Sequence, residues 1–335
     1  MNFSSQIKKM LDKKTILVTG GTGSFGKEFT NYILKNYSIK KLIIFSRDEL
    51  KQYEMQKLFP HKNIRFFIGD VRDKERLSMA MQDVDYVIHA AALKHVPIAE
   101  YNPIECIKTN IYGAQNIITA SLDCGVKRVI ALSTDKATNP INLYGATKLA
   151  AEKLFISANS YSGNKPTSFS VVRYGNVLNS RGSVLPLFLD LIKKGSKSLP
   201  ITHLDMTRFF FTVQDSVKFV LSSLYFMTKG EIFIPKIHSC KIVDLARALS
   251  SEIKFKIIGL RPGEKMHEVL FSLDENPYVT NYKDFYIISN DQEYHNKKIN
   301  KKIRIKDNFM FASNNAESLL SYNDIKKKLL KEILQ

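Results

Sequence analysis

Tryptophan is absent from the 335-residue chain, and cysteine occurs only three times, at Cys106, Cys124 and Cys240. The three thiols lie far apart and form no C-x-x-C pair. That argues against a disulfide framework or a thiolate metal site and fits a reducing cytoplasm. No apolar run approaches the length of a membrane span. The N-terminus, MNFSSQIKKMLDKKTILVTGG, carries lysines but no apolar segment ahead of the first strand, so no signal peptide is read there. Neither an internal repeat nor a low-complexity linker interrupts the chain. His89, His95 and the other histidines form no ligand cluster, so no metal is assigned. A soluble cytoplasmic protein with no membrane partner is the expectation.

What the sequence has in excess is positive charge, formally +18. Such a balance can serve nucleic acid, an anionic membrane surface or an anionic substrate. Lysine outnumbers arginine and is scattered, the pattern of solvated faces; the one dense run is KKINKKIRIK, Lys297 to Lys306. No recognisable binding module accompanies it, so nucleic acid is not expected as a partner. The length suits one large α/β domain, or a large one plus a small one.

The N-terminal half alternates β-branched runs with helical patterns. TILVTGG (Thr15–Gly21), KLIIFSR (Lys41–Arg47), IRFFIGD (Ile64–Asp70), YVIHAAA (Tyr86–Ala92), RVIALST (Arg128–Thr134) and SFSVVRYGNV (Ser168–Val177) read as strands. The intervening segments are long enough for crossover helices, which predicts an α/β, Rossmann-type, doubly wound parallel sheet. After about residue 180 the pattern loosens into a smaller C-terminal, substrate-binding lobe. This gives a nucleotide-binding domain over 1–180 and a second lobe over 181–335, with some chain crossing between them. The end, SYNDIKKKLLKEIL, places Ile325, Leu329, Leu330 and Ile333 at helical spacing behind a capping-box-like Ser321 and Asp324, the pattern of a docked helix. The stretch from Asp291 to Lys306 is expected to be a mobile loop.

TGGTGSFG puts Gly20, Gly23 and Gly26 between the first strand and the first helix, with Thr22, Ser24 and Phe25 lining the same turn. Glycines there let a pyrophosphate approach the helix N-terminal N–H groups. The end of the second strand normally reads the adenosine ribose, through a carboxylate for NAD or an arginine for the 2′-phosphate of NADP. Here Ser46, Arg47 and Asp48 are followed by Glu49, Leu50 and Lys51. Two cations and a hydroxyl against Asp48 favour NADP; the competing reading is a helix N-cap at Ser46 with solvated charges. Asp70 and Val71 are placed for the adenine edge. Ala90 and its small neighbours leave room for the cofactor chain.

A tyrosine phenol near pKa 10 is a poor base at neutral pH. A lysine one helical turn away lowers that barrier by favouring the phenolate. Tyr144 and Lys148 stand in this relation, and Thr134 ends the preceding strand with a hydroxyl that can orient a sugar alcohol. Between them lies Asp135-Lys136, for which a simple alcohol dehydrogenase has no use.

The glycine fingerprint with Tyr-x-x-x-Lys resembles the extended short-chain dehydrogenase/reductases. TGGTGSFGKEF, SRDELKQYEM, FFIGDVRDKERL, HAAALKHVPIAEYNPIECIKTNIYGAQN, ALSTDKATNPINLYGATKL, VVRYGNVLNSRGS and IIGLRPGEKMHEV resemble, more narrowly, the inverting UDP-N-acetylglucosamine 4,6-dehydratases that open the pseudaminic acid pathway. The likeness runs from Lys14 to Asp291 and continues weakly beyond. It implies that Tyr144 takes the proton of the sugar 4-hydroxyl while C4 is oxidised. Lys136, as a neutral amine of depressed pKa, then removes the C5 proton, and Asp135, as an acid, protonates the departing 6-hydroxyl. Related retaining enzymes acting on dTDP-glucose carry Glu after this Asp. The resemblance also nominates Lys94 beside the nicotinamide ribose and sugar, and Thr109 and Val177 along the cofactor. It places Asn176 at the sugar, and Arg181, Arg208 and Arg261 on the uridine diphosphate. For Arg181 and Arg208 structural ion pairing competes with ligation. A homo-oligomer, plausibly a hexamer, is implied as well.

Two other enzymes share much of this pattern. A UDP-hexose 4-epimerase needs Tyr144 and Lys148 but no pair acting at C5 and C6. A retaining dehydratase can also carry Asp-Lys. A non-catalytic NADP-sensing regulator would tolerate loss of Tyr144 or Lys148, and both are present.

Overall fold

The computed structural model describes residues 4–178, 182–289, 305–315 and 317–333. Arg181 and most of the basic stretch expected to be mobile, residues 291–304, lie outside them. Six strands rise in sequence order: β1 (Thr15–Thr19), β2 (Lys41–Ser46), β3 (Ile64–Ile68), β4 (Tyr86–His89), β5 (Arg128–Thr134) and β6 (Ser168–Tyr174). They pair in parallel in the order β3-β2-β1-β4-β5-β6. Three later strands, Ile232–Pro235, Phe285–Ile288 and Val279–Asn281, extend the same sheet beyond β6 to nine strands. The first of them is parallel to β6 and the other two add antiparallel.

Period-two patterning decides which side chain goes where, because successive residues of a strand face opposite sides of the sheet. Leu17, Ile43, Val87 and Val129 pack in one core with Ile117 and Ile118 of the helix Gly113–Asp123 and Phe155 of the helix Leu143–Ser157. Ile16, Val18, Leu42, Ile44, Ile88 and Ile130 pack in the other, against Phe29 and Ile33 of the helix Ser24–Asn36 and Val217 and Leu221 of the helix Val213–Phe226. Strands buried on both faces read as continuous apolar runs, and these do.

Order reverses between β1 and β4, so the carboxyl ends of those strands open a crevice at the switch point. The loops after β1, β4 and β5, all implicated by the sequence, therefore share one edge of the sheet. Short sheets from the second half close over it. One pairs Asn176–Val177 with Thr207–Phe211, and another pairs Val269–Phe271 with Phe311–Ala312. The C-terminal helix runs Tyr322–Ile333, with Ser321 Oγ hydrogen-bonded to Asp324 and Ile325 buried, as the capping pattern predicts.

Candidate active site

At the β1 turn the fit for a dinucleotide is steric. A side-chain carbon on Gly26 would come within 2.2 Å of the Gly21 carbonyl oxygen, and one on Gly20, whose φ is +64°, within 2.9 Å of the Ala91 nitrogen. Gly23, the N-cap of the helix Ser24–Asn36, makes no side-chain cap hydrogen bond to its first turn. This cradle, closed by the backbone at Ala90, fits a pyrophosphate. In the π-helical turn Lys108–Tyr112, the hydroxyl of Thr109 is buried and has no hydrogen-bond partner among the described residues. Asp70 and Val71 follow β3, where Asn116 Nδ2 donates to the Val71 carbonyl.

The β2 end is arranged differently from its sequence reading. Asp48, not Ser46, is the N-cap of the helix Glu49–Leu58, accepting from the Lys51 amide at 2.9 Å and pairing with the Lys51 ammonium. Ser46 is buried and its hydroxyl accepts from Gln52. Arg47 stays half exposed, 3.4 Å from Asp70. Burial alone would raise the Asp70 pKa, but the hydrogen bonds from Arg72 and the nearby Arg47 and Arg72 charges lower it.

At the β5 end Thr134 caps a short turn, Asp135–Ala137, and donates to Asp135 Oδ1 at 3.0 Å. Asp135 is fully buried, and its Oδ2 has no partner among the described residues. The Lys136 ammonium donates to Asp135 Oδ1 at 3.0 Å and Asn176 Oδ1 at 3.1 Å, and lies 3.2 Å from Glu268 Oε1. Asn176, which the resemblance places at the sugar, is thus in direct contact with Lys136. Tyr144, on the following helix, is nearly buried; burial pushes its phenol up to about 12, against the Lys136 charge and a hydrogen bond with Thr134. Lys94 has its pKa lowered, first by burial and then by the charge of Lys136.

Two electrostatic expectations are corrected here. Burial would depress the Lys136 pKa, but the charges of Asp135 and Glu268 outweigh it and raise it, so the lysine is an ammonium in this state. Asp135 is raised, by burial first and by Glu268 against the opposing Lys136. The cation that acts on the Tyr144 phenol is Lys136 rather than Lys148. Lys148 donates at 2.6 Å to the Leu132 carbonyl, and burial brings its pKa down to about 8.

Arg208 is buried with its guanidinium spent on the carbonyls of Thr207, Met266 and Lys265 and on Glu264 and Glu268. Arg261 is exposed, and its guanidinium has no ion pair among the described residues. Val177 lines the same edge through the pairing of Asn176–Val177 with Thr207–Phe211.

Three contributors escape a reading of spacing. Glu268 reaches Lys136 from 132 residues further along the chain. Asn110 accepts from the Leu93 amide at 2.8 Å and donates to the Leu93 carbonyl and the Thr147 hydroxyl, fastening the loop that carries Lys94 to the helix of Tyr144. Arg173 joins Glu152 of that helix to Glu275 and Thr138. The first two lay within the KTN and EKMHEV segments but carried no local signal. Among the described residues no His, Cys, Asp or Glu group could hold a metal ion, and no helix is long and apolar enough to cross a membrane.

A family profile described as polysaccharide biosynthesis protein matches residues 16–290. Over 314 residues the chain is 58% identical to the UDP-N-acetylglucosamine 4,6-dehydratase (inverting) of Campylobacter jejuni, covering 91% of this chain and 94% of that protein. A UDP-glucose 4-epimerase of Rickettsia bellii is 46% identical over 289 residues, 84% of each chain. The X-ray structure of Pen from Bacillus thuringiensis superposes with a TM-score of 0.90 at 37% identity, over 97% of this chain and 99% of that one. The dTDP-glucose 4,6-dehydratase DesIV of Streptomyces venezuelae shares the fold, with a TM-score of 0.67 at 21% identity over 77% of this chain and 87% of that one. The chain belongs to the polysaccharide biosynthesis protein family, on the extended short-chain dehydrogenase/reductase fold, and groups there with the inverting UDP-N-acetylglucosamine 4,6-dehydratases.

Proposed function

We propose that the protein dehydrates UDP-N-acetylglucosamine at C4 and C6 with inversion at C5, using NADP, and so makes a 4-keto-6-deoxy-L-hexosamine nucleotide. The observation that carries this reading is the Asp135–Lys136 contact, 3.0 Å long, with Asp135 fully buried beside Thr134 and next to Tyr144. Oxidation at C4 needs only the tyrosine and its helpers. An acid and a base in contact beside it add the means to lose water.

The glycine turn and Thr109 would hold the cofactor, whose chemistry is reversible uptake of a hydride from C4 and its return to C6. Tyr144 receives the 4-hydroxyl proton, favoured by the Thr134 hydrogen bond and the nearby Lys136 charge. The resulting ketone acidifies C5–H, which Lys136 removes; Asp135 gives a proton to the 6-hydroxyl as it leaves as water. Reprotonation of C5 from the other face inverts that centre. Asp48 supports NADP over NAD, because its carboxylate is committed to the helix N-cap and to Lys51, leaving Arg47 as the half-exposed group at the ribose end. The lobe after residue 180 would supply Arg261, and Arg181 with it, to the uridine diphosphate. The product suits the first step of pseudaminic acid biosynthesis, in the cytoplasm, by a homo-oligomer.

A UDP-hexose 4-epimerase would leave Asp135 and Lys136 without a task. Incubation of the NADP-loaded protein with UDP-N-acetylglucosamine in heavy water, followed by NMR, separates the readings. The expected product has lost water and carries deuterium at an inverted C5, with NADP⁺ supporting turnover better than NAD⁺. Lys136→Ala should retain partial C4 oxidation and lose elimination. A product changed only at C4, or one of retained D configuration, would sink the proposal.

A further inference from the structure

The Lys136 ammonium has three N–H bonds and, among the described residues, three acceptors: Asp135 Oδ1 at 3.0 Å, Asn176 Oδ1 at 3.1 Å and Glu268 Oε1 at 3.2 Å. A neutral amine has two N–H bonds and a lone pair, so the lysine becomes a base only by giving one proton to an acceptor. The Asn176 amide oxygen cannot keep a proton. The choice lies between two carboxylates, both buried, each with its second oxygen unpartnered among the described residues.

Glu268 is built into place. Its amide donates to Ser313 Oγ at 2.9 Å, and its carbonyl accepts from the Ser313 amide at 2.8 Å. Arg208 lies 3.9 Å from its Oε1. The charges of Lys136, Arg208 and Lys265 overcome its burial and hold it ionised. No arginine pairs with Asp135 among the described residues, where Thr134 and Lys136 are its side-chain donors, so Asp135 is the carboxylate that can take the proton.

We infer that Glu268 is a positioning residue for the acid–base pair: its carboxylate anchors the Lys136 ammonium, and its fixed negative charge directs the mobile proton to Asp135. In this step the Lys136 N–H bond breaks and an O–H bond forms on Asp135, with no charge entering or leaving the pair. One transfer creates both species that elimination needs, a free amine and a carboxylic acid. The assignment rests on the dehydratase reading above.

The charged and titratable groups facing the pair are Glu268, Arg208, Lys265, Lys94 and Tyr144. The reactive pair holds one proton. Activity falls in acid as a second proton binds and in alkali as the last one leaves. Glu268's charge favours proton binding in both steps, so removing it moves both limbs of the kcat profile to lower pH.

The test is the rate of elimination against pH for the NADP-loaded wild type, Glu268→Gln and Glu268→Asp. Glu268→Gln should lose roughly 10- to 100-fold in kcat at little change in KM, with both limbs displaced by about half to one pH unit. Glu268→Asp keeps the charge at a longer reach, so its limbs should fall between the other two. If Glu268→Gln does not fold, displaced limbs in Glu268→Asp still support the assignment. Limbs that coincide with wild type in whichever variants fold overturn it. No elimination by the wild type at any pH overturns the dehydratase reading itself, and this assignment with it.

Discussion

His89 ends β4 beside the glycine turn, and its Nδ1 shares a 2.8 Å hydrogen bond with the Thr19 hydroxyl. Burial, helped by the charge of Lys148, brings its pKa down to about 3. In the unfolded chain it titrates near 6.5. Between these values the unfolded state binds a proton that the folded state refuses. The stabilisation from a neutral His89 is therefore complete above about pH 6.5 and is lost as pH falls toward about 3. Its contribution to the slope is about 1.4 kcal/mol per pH unit once the unfolded histidine is protonated. Urea unfolding between about pH 6 and pH 5 should show this loss, ahead of most carboxylate titration. His89→Gln retains a partner for Thr19 but takes up no proton, so its slope should be shallower. An equal slope in the variant would remove His89 from this role.

At the scale of elements, the glycine turn and the helix Leu143–Ser157 were the most legible parts of the chain. Their chemistry is local: Gly20, Gly23 and Gly26 serve one turn, and Tyr144 and Lys148 lie one helical turn apart. The steric reason for Gly26 is equally local, since any side chain there meets the Gly21 carbonyl at 2.2 Å. Gly26→Ala should force the helix Ser24–Asn36 away from β1 and weaken NADP⁺ binding by at least about tenfold, the cost of some 1.4 kcal/mol in misplaced amides. Titration calorimetry checks it; unchanged affinity would mean that the turn does not hold the pyrophosphate. What sequence spacing could not convey is contact across the fold. Glu268 is 132 residues from Lys136 in the chain, and contacts across the fold bring it there, among them the pairing of Val269–Phe271 with Phe311–Ala312, the lock of Ser313 and the hold of Arg173 on the Leu270 carbonyl. The sign of the Lys136 shift was missed because burial was weighed without the charges of Asp135 and Glu268, which together outweigh it. Asn110 was hidden differently. It sits in a π-helical turn, Lys108–Tyr112, whose extra residue per turn breaks the register that a sequence reader assumes.

At the scale of the whole molecule, the edge that carries Tyr144, Asp135 and Lys136 is clamped by a fully buried arginine. Arg173 of β6 gives Nε and Nη2 to Glu152 at 3.0 and 2.6 Å, and both terminal nitrogens to Glu275 at 3.0 Å. Nη1 also donates to the Thr138 hydroxyl and the Leu270 carbonyl. Glu152 belongs to the helix of Tyr144, Thr138 follows Asp135-Lys136, and Leu270 lies two residues beyond Glu268. One guanidinium thus ties the helix of Tyr144, the Asp135-Lys136 turn and the segment from the second half of the chain. Arg173→Met would leave Glu152 buried without its cation. A broken buried pair costs about 3–5 kcal/mol, far more than an exposed one. Adding Glu152→Met should return part of that loss, because the orphaned charge goes with it. Glu275, a quarter exposed, can keep its charge in water, so recovery should not depend on changing it. Denaturant unfolding of wild type, both single variants and the double variant closes the cycle. If Arg173→Met costs less than about 1 kcal/mol, or the double variant is no more stable than Arg173→Met, the clamp is not what holds these three elements together.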